Sequence, residues 1–374
     1  MKILPHLNSY LRTLFFYFYE KEKMLQLGYK KHVFNFKRPA GTSRGVLQQK
    51  TSYYLMVWDT EAPEIKGIGE CSTIKGLSPD SWGDYEYTLQ EMQKHPEPYD
   101  IWLREGLKDF PSIRFGLETA LLDLQRGGQR ILFSSDFTRG RKGIPINGLI
   151  WMGDFDFMKN QIRDKIDSGF RCVKLKIGAI DFDKELELLQ LIRGEFNADD
   201  LELRVDANGA FKPDEAPEKL KRLSEFYIHS IEQPIRQKQW DEMAKLCEIS
   251  PVPVALDEEL IGLKTREEAR KMLEYIRPQY IILKPSLLGG FSRAKLFMEE
   301  AGRVNTGWWV TSALEGNIGL NAIAQWTYML DNQLPQGLGT GQLFINNISS
   351  PLYIEKAQLF FDEENLWDLS LFDE

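Results

Sequence analysis

Histidine and cysteine are scarce in this chain of 374 residues, with four of the first and three of the second. His6, His32, His95 and His229 make no His-x-x-x-His pair, and Cys71, Cys172 and Cys247 make no Cys-x-x-Cys, so a zinc site is not expected. An odd number of widely spaced cysteines excludes a disulfide framework and points to reduced thiols and a cytoplasmic location. Positive charge is in deficit too. A net charge of -8 argues against a nucleic-acid partner, whose phosphates would be repelled. No window approaches the length of a membrane span. The aromatic run Leu14 to Tyr19 is the one temptation, but His6, Asn8, Ser9 and Arg12 interrupt its surroundings and no small-residue cleavage site precedes Glu20-Lys21-Glu22-Lys23. Residues 1–28 therefore read as an N-terminal extension. Self-association is left open.

A composition 43% hydrophobic and 27% charged is that of a soluble globular protein, and the length suits two domains. From Tyr29 to about Glu70 the pattern is strand-like, with further strands at 52–58 and 66–70. Helical patterns follow at 82–94 and 112–124. Strands and then helices make an α+β domain, placed at residues 29–142. Past Arg139-Gly140-Arg141-Lys142-Gly143 the regime changes, and strands alternate with helices over 143–344. Thr265 and Glu268 form a capping-box signature at one helix start. The last barrel position falls near Gln336 to Phe344, and the C-terminal segment, 345–374, is expected to rejoin the N-terminal domain.

Five apolar runs in the alternating region each end in charge. Lys174 and Lys176 lie on the first, followed by Asp206, Glu232, Asp257 and Lys284, at intervals from Lys176 of 30, 26, 25 and 27 residues. One strand, one helix and two loops fill such an interval, so each charge marks the C-terminal end of a successive parallel strand, where a barrel gathers its chemistry. Alternation turns all six charges into the lumen and turns Leu175, Val205, Ile231, Leu256 and Leu283 toward the helices. The fold class expected is α/β, a (β/α)7β barrel of TIM type with an α+β capping domain.

Charges inside a barrel are costly unless paired or metal-bound. Asp206, Glu232 and Asp257 are hard oxygen donors with no thiolate or imidazole, a set that selects Mg2+, or Mn2+. A structural network of three carboxylates and three lysines is the alternative. A lysine near pKa ~10.4 is a poor base at neutral pH, but a metal ion and a second ammonium depress that value and free one lysine to take a proton. A substrate bearing a carboxylate would balance the site's charge. Removal of the proton α to that carboxylate is the step such a site eases.

The set Lys-x-Lys, Asp, Glu, Asp, Lys over successive strands resembles the enolase superfamily. Lys284, standing where other branches carry a His-Asp dyad, resembles the muconate-lactonising branch. Within it, the stretches 36–45, 284–290 and 311–320 resemble the o-succinylbenzoate synthase family of menaquinone biosynthesis. That resemblance implies a carbon–oxygen lyase, a Mg2+-dependent dehydratase acting on a cyclohexadiene carboxylate with a succinyl arm. It implies Lys176 as the base that also returns its proton to the leaving hydroxyl, Lys284 as the opposing cation, and Lys174 as a contact to the substrate carboxylate. It places Asn147, Asn208, Gly289, Gly290, Ser312 and Arg44 in the substrate pocket, with residues 42–45 as a lid. Glu315-Gly316-Asn317 departs from the family's commoner Glu-Ser-Ser. The rivals are an N-acylamino acid racemase or dipeptide epimerase on the same scaffold, and a non-catalytic barrel that binds a metabolite. Dipeptide epimerases usually carry Asp-x-Asp after the eighth strand, whereas residues 336–342 here contain no acid.

Overall fold

A computed structural model of the chain describes residues 24–42, 45–96, 99–151, 153–178 and 180–373. Most of the expected N-terminal extension lies outside them. Strand β1 (Leu25–Thr42) starts before Tyr29, because Leu25 and Leu27 are buried and pair with Asp59 and Val57 of β2 (Gly45–Asp59). β3 (Ala62–Ser72) completes an antiparallel sheet in the order β1-β2-β3. Helices α1 (Tyr85–Lys94) and α2 (Pro111–Gln125) follow. α2 lies against β3 with backbone nearly touching backbone: a Cβ on Gly69 would stand 1.9 Å from the Gly116 carbonyl oxygen.

Alternation begins after β4 (Ile144–Pro145) with β5 (Gly148–Ile150), α3 (Phe155–Asp167), β6 (Cys172–Lys176) and α4 (Phe182–Glu195). It continues through β7 (Glu202–Asp206), α5 (Ala216–Ser224), β8 (Ser230–Glu232) and α6 (Trp240–Ile249). β9 (Val254–Leu256), α7 (Arg266–Ile276), β10 (Tyr280–Leu283), α8 (Phe291–Arg303), β11 (Gly307–Val310) and α9 (Asn317–Met329) complete it. The Thr265 hydroxyl and the Glu268 carboxylate form the expected reciprocal cap at the start of α7.

Strands β5 to β11 pair in parallel and in chain order. The ring closes through Gln336, which bridges Ile146, and Gly337, which bridges Thr311. Asn147 N–H donates to Gln336 O at 3.0 Å and Gly337 N–H to Val310 O at 2.8 Å. The eighth barrel position is thus a pair of bridging residues, shorter than the expected 336–344. Below the charged rim the lumen is plugged by Arg204, whose guanidinium lies 4.3 Å from the Trp309 ring and donates to Glu202 at 2.7 Å and to Pro335 O at 2.9 Å.

The C-terminal segment divides. Its hairpin, β12 (Leu352–Glu355) and β13 (Gln358–Phe361), pairs with β4 on the barrel side. Its two ends pack on the N-terminal sheet as expected: Ile345 N–H donates to Asn35 O at 2.9 Å and Asn346 Nδ2 to Val33 O at 2.7 Å, while Lys30 Nζ donates to Leu371 O at 2.8 Å and Phe372 meets Tyr54 edge-on at 5.2 Å. No helix among the described residues is long and apolar enough to cross a membrane.

Two buried carboxylates tie the N-terminal sheet and α2 to the barrel. Glu118 of α2 accepts from Phe291 N–H at 2.8 Å and Ser292 N–H at 3.1 Å, at the N-terminus of α8. Glu70 of β3 accepts from Gly316 N–H at 2.8 Å and Gly319 N–H at 3.0 Å, at the N-terminus of α9. Each satisfies helix donors that would otherwise be orphaned and places negative charge at the positive end of a helix. Glu118→Ala leaves one buried and one partly buried N–H group unpaired, so chemical denaturation of this variant is expected to show a loss of about 2–4 kcal/mol. A loss under about 0.5 kcal/mol, the range of an ordinary surface substitution, would contradict this role.

Candidate active site

Parity along the parallel strands brings the six charges to one end of the barrel. In register, Lys176 stands beside Asp206 and Asp206 beside Glu232. Lys174 Nζ donates to Glu232 Oε2 at 2.7 Å and to Asp206 Oδ2 at 3.3 Å. Lys176 Nζ donates to Asp206 Oδ2 at 2.9 Å and to Asn208 Oδ1 at 2.7 Å. Lys284 Nζ donates to Asp257 Oδ2 and lies 3.7 Å from Glu232 Oε1. One continuous chain of ion pairs therefore runs from Lys176 to Asp257. All six residues are nearly or fully buried.

Above the chain opens a cavity of about 440 Å³. Lys174, Lys176, Lys284, Asp206, Asp257, Asn147, Asn208 and Ser312 line it. Glu232 does not; it sits beneath, covered by Lys174 and Lys284. Phe36, Leu47, Leu149, Trp151, Phe157 and Leu314 supply an apolar wall, and Lys37 and Arg38 of β1 add positive charge to it. Asn147 is anchored through its backbone to Gln336. The Ser312 hydroxyl is engaged with Thr340 Oγ1 at 2.6 Å and Gly337 O at 3.2 Å.

Gly289 and Gly290 stand away from the cavity lining and turn the chain into α8 with φ of 95° and 102°. A Cβ on Gly290 would stand 1.8 Å from Glu118 Oε2, so this glycine makes room for the carboxylate that caps α8. Arg44 lies outside the described residues, as does Ser43 of the expected lid over 42–45.

Glu258 was not among the residues expected in the site. Buried and lining the cavity, its Oε1 accepts from Asn208 Nδ2 at 3.3 Å. Strand alternation would turn the neighbour of Asp257 outward. β9 ends at Leu256, however, and the chain enters a 3-10 turn over Glu258–Leu260, so alternation no longer applies. A carboxylate directly after an inward Asp was the one available signal. Thr311 was missed as well; it lines the cavity with its hydroxyl buried and without a hydrogen bond.

The electrostatics are those of a site with more carboxylate than ammonium, since three lysines face Asp206, Glu232, Asp257 and Glu258. Burial opposes charge on Lys174 and Lys284, yet Glu232 and Asp206 around the first, and Asp257 and Glu232 around the second, raise both pKa values. Burial also opposes charge on Asp206, but Lys176 and Lys174 hold it below the usual carboxylate range. Glu232 is pushed up by burial and by Asp206, and Asp257 by burial and by Glu258. Glu232 Oε1 is buried without a hydrogen bond. Surplus negative charge, hard oxygen donors and an orphaned carboxylate oxygen fit a divalent cation. As the side chains stand, the lysines occupy the carboxylate oxygens, and among the described residues no three His, Cys, Asp or Glu side chains are grouped to hold a metal ion.

Comparison with known proteins agrees with this architecture. Residues 158–351 match the family described as enolase C-terminal domain-like. An o-succinylbenzoate synthase of Desulfotalea psychrophila is 49% identical, over 90% of this chain and 98% of that protein. A crystal structure of MenC from the same organism superposes with a TM-score of 0.81 at 46% identity, over 90% of this chain and 99% of that one. A muconate lactonizing enzyme of Pseudomonas fluorescens superposes at 0.76 with 22% identity, over 92% and 98% of the two chains, a likeness of fold alone. With a Lys-x-Lys strand, a third lysine opposite it and three carboxylates at one barrel rim, and with a relative this similar over nearly its whole length, the chain belongs to the enolase superfamily, in its o-succinylbenzoate synthase family.

Proposed function

We propose that this protein is a Mg2+-dependent o-succinylbenzoate synthase of menaquinone biosynthesis, a carbon–oxygen lyase that removes the proton α to a carboxylate and eliminates water to leave an aromatic ring. The observation that carries the reading is the meeting of Lys176 and Lys284, from β6 and the end of β10, at one cavity over the carboxylates of β7 to β9.

Asp206, Glu232 and Asp257 are the residues that would hold the cation. When bound, Mg2+ places positive charge beside the substrate carboxylate and makes the adjacent C–H more acidic. Lys176, as the neutral amine, takes the α-proton, and the same nitrogen then gives a proton to the departing hydroxyl on the same face. The C–H and C–O bonds break, a ring double bond forms, and water leaves. Lys284, from the opposite wall and paired to Asp257 and Glu232, stays cationic and stabilises the enediolate and the ring face. Lys174 contacts the carboxylate and steadies Asp206 and Glu232.

Lys37 and Arg38 at the cavity wall suit a substrate with a second carboxylate. Gly337, Gly339, Thr340 and Gln342 contribute no acid to hold the ammonium of a dipeptide, which favours the dehydratase over the dipeptide epimerase. An N-succinylamino acid racemase of Amycolatopsis is 24% identical over 82% of this chain and 84% of that protein, so amino-acid racemisation belongs in the same assay.

Incubation with the cyclohexadiene substrate and Mg2+ is expected to produce aromatic absorbance, and Lys176→Ala to lower its rate by about 10²–10⁴-fold with an unchanged circular dichroism spectrum. Full turnover by Lys176→Ala would disprove the assignment of the base. Chelation is expected to abolish turnover and added Mg2+ to restore it. Mg2+ should also raise the melting temperature of the wild type but not of Glu232→Gln. An equal rise in both proteins would remove Glu232 from the cation site.

A further inference from the structure

We infer that Glu258 is a positioning residue, acting through Asn208 to aim the amine of Lys176 into the cavity. The inference rests on the reading of Lys176 as the base and adds to it the means by which that base is oriented.

Nζ of Lys176 has two acceptors. It donates to Asp206 Oδ2 at 2.9 Å and to Asn208 Oδ1 at 2.7 Å. A tetrahedral nitrogen with two N–H bonds so engaged has its rotation about the Cε–Nζ bond fixed. In the neutral amine both N–H groups are then used and the lone pair takes the remaining direction. Lys176 lines the cavity with its side chain 12% exposed. The direction of the lone pair therefore depends on both acceptors staying in place.

Asp206 is held by Lys174 as well. Asn208 is the acceptor that could fail, because an amide turned about its last bond presents an N–H where the oxygen was. An ammonium can only donate and a carboxylate can only accept, so an amide between the two has one fully satisfied orientation. Asn208 occupies that place. Its Oδ1 faces Lys176 and its Nδ2 donates to Glu258 Oε1 at 3.3 Å. With Glu258 removed, the turned amide would set two donors against each other at the Lys176 ammonium, and the acceptor that favours the observed orientation would be gone.

The backbone is arranged for the same end. Asn208 has a φ of 44°, in the left-handed region that asparagine tolerates better than most residues. Its own N–H donates to Asp206 Oδ1 at 3.0 Å, so both acceptors of Lys176 share one anchor. Glu258 is 1% exposed and sits in the turn that follows Asp257.

Steady-state kinetics of Glu258→Ala, Glu258→Gln, Asn208→Ala and the Asn208→Ala/Glu258→Ala double variant, with Lys176→Ala alongside, test the inference. Glu258→Ala is expected to lower kcat by about 10- to 100-fold, as a misaimed reacting group does, while KM and the half-saturating Mg2+ concentration stay within about twofold. Glu258→Gln keeps an acceptor for Asn208 and is expected to recover kcat to within about fivefold of the wild type. The double variant should lose no more than the worse single, because both act through one hydrogen-bonded chain. Glu258→Leu fills the buried space without an acceptor and gives the same comparison if Glu258→Ala does not fold. An unchanged kcat without the acceptor, a loss confined to KM or to Mg2+ affinity, or losses that multiply in the double variant would each overturn the positioning role and leave the base in place. Full turnover by Lys176→Ala would instead overturn the reading beneath it.

Discussion

Everything at the barrel rim follows from the cost of taking charge out of water. An isolated ammonium or carboxylate in such a place loses several kcal/mol of hydration even after relaxation, and only close pairing offsets the loss. Here the pairing is shared: Lys174 serves Asp206 and Glu232, and Lys284 serves Asp257 and Glu232. Sharing leaves the set short of positive charge: burial and then neighbouring carboxylates push the pKa values of Glu232 and Asp257 up, while the carboxylates outweigh burial and raise those of Lys174 and Lys284. A purely structural network would be expected to balance its own charge and to exclude solvent. This one borders a cavity and leaves a carboxylate oxygen unsatisfied beneath it.

The N-terminal sheet shares in the same economy of charge at a distance. Glu118 and Glu70 are buried carboxylates stabilised by the N-termini of α8 and α9 rather than by full ion pairs. By fixing β3 and α2 to the barrel they also fix β1, which supplies Phe36, Lys37 and Arg38 to the cavity wall. That stretch of β1 is also held directly, since Lys37 N–H donates to Leu343 O at 2.8 Å and Phe36 bridges Phe344. Gly290 shows how tight the arrangement is, since a single methyl group there would collide with Glu118.

Strand alternation made the rim legible. With a period of two, a charge on the same face as a neighbouring strand's charge has to enter the same lumen, and the rule carries Lys174, Lys176, Asp206 and Glu232 to their places and still holds for Asp257 and Lys284, one residue past their strands. Beyond that the rule lapses. Glu258 lies in a 3-10 turn and Gln336 with Gly337 form bridges too short to show any period, so alternation reveals neither the first nor the true length of the second. The resemblance implies Gly289 and Gly290 as pocket residues, and in the structure their positive φ serves the turn into α8. The hairpin of β12 and β13 pairs with a strand some two hundred residues earlier, and no local pattern encodes such a choice. Leu25 and Leu27 announce the start of β1 only once Asp59 and Val57 are seen opposite them.

Proton removal beside a carboxylate is common to elimination and to racemisation, so the charged rim alone does not choose between them. The choice depends on whether the two lysines are equivalent. Racemisation in both directions asks each to act in turn as the base, and each must then be able to exist as a free amine. Elimination asks for one base and one lasting cation. The surroundings of the two are unequal. Lys284 is paired to two buried carboxylates, whereas Lys176 shares one carboxylate with Lys174 and finds its second acceptor in a neutral amide. Neutralising Lys284 would leave Asp257 without its ion pair and Glu232 with Lys174 alone. Such an asymmetry suits the proposed dehydratase, with Lys176 as its base and Lys284 as the lasting cation.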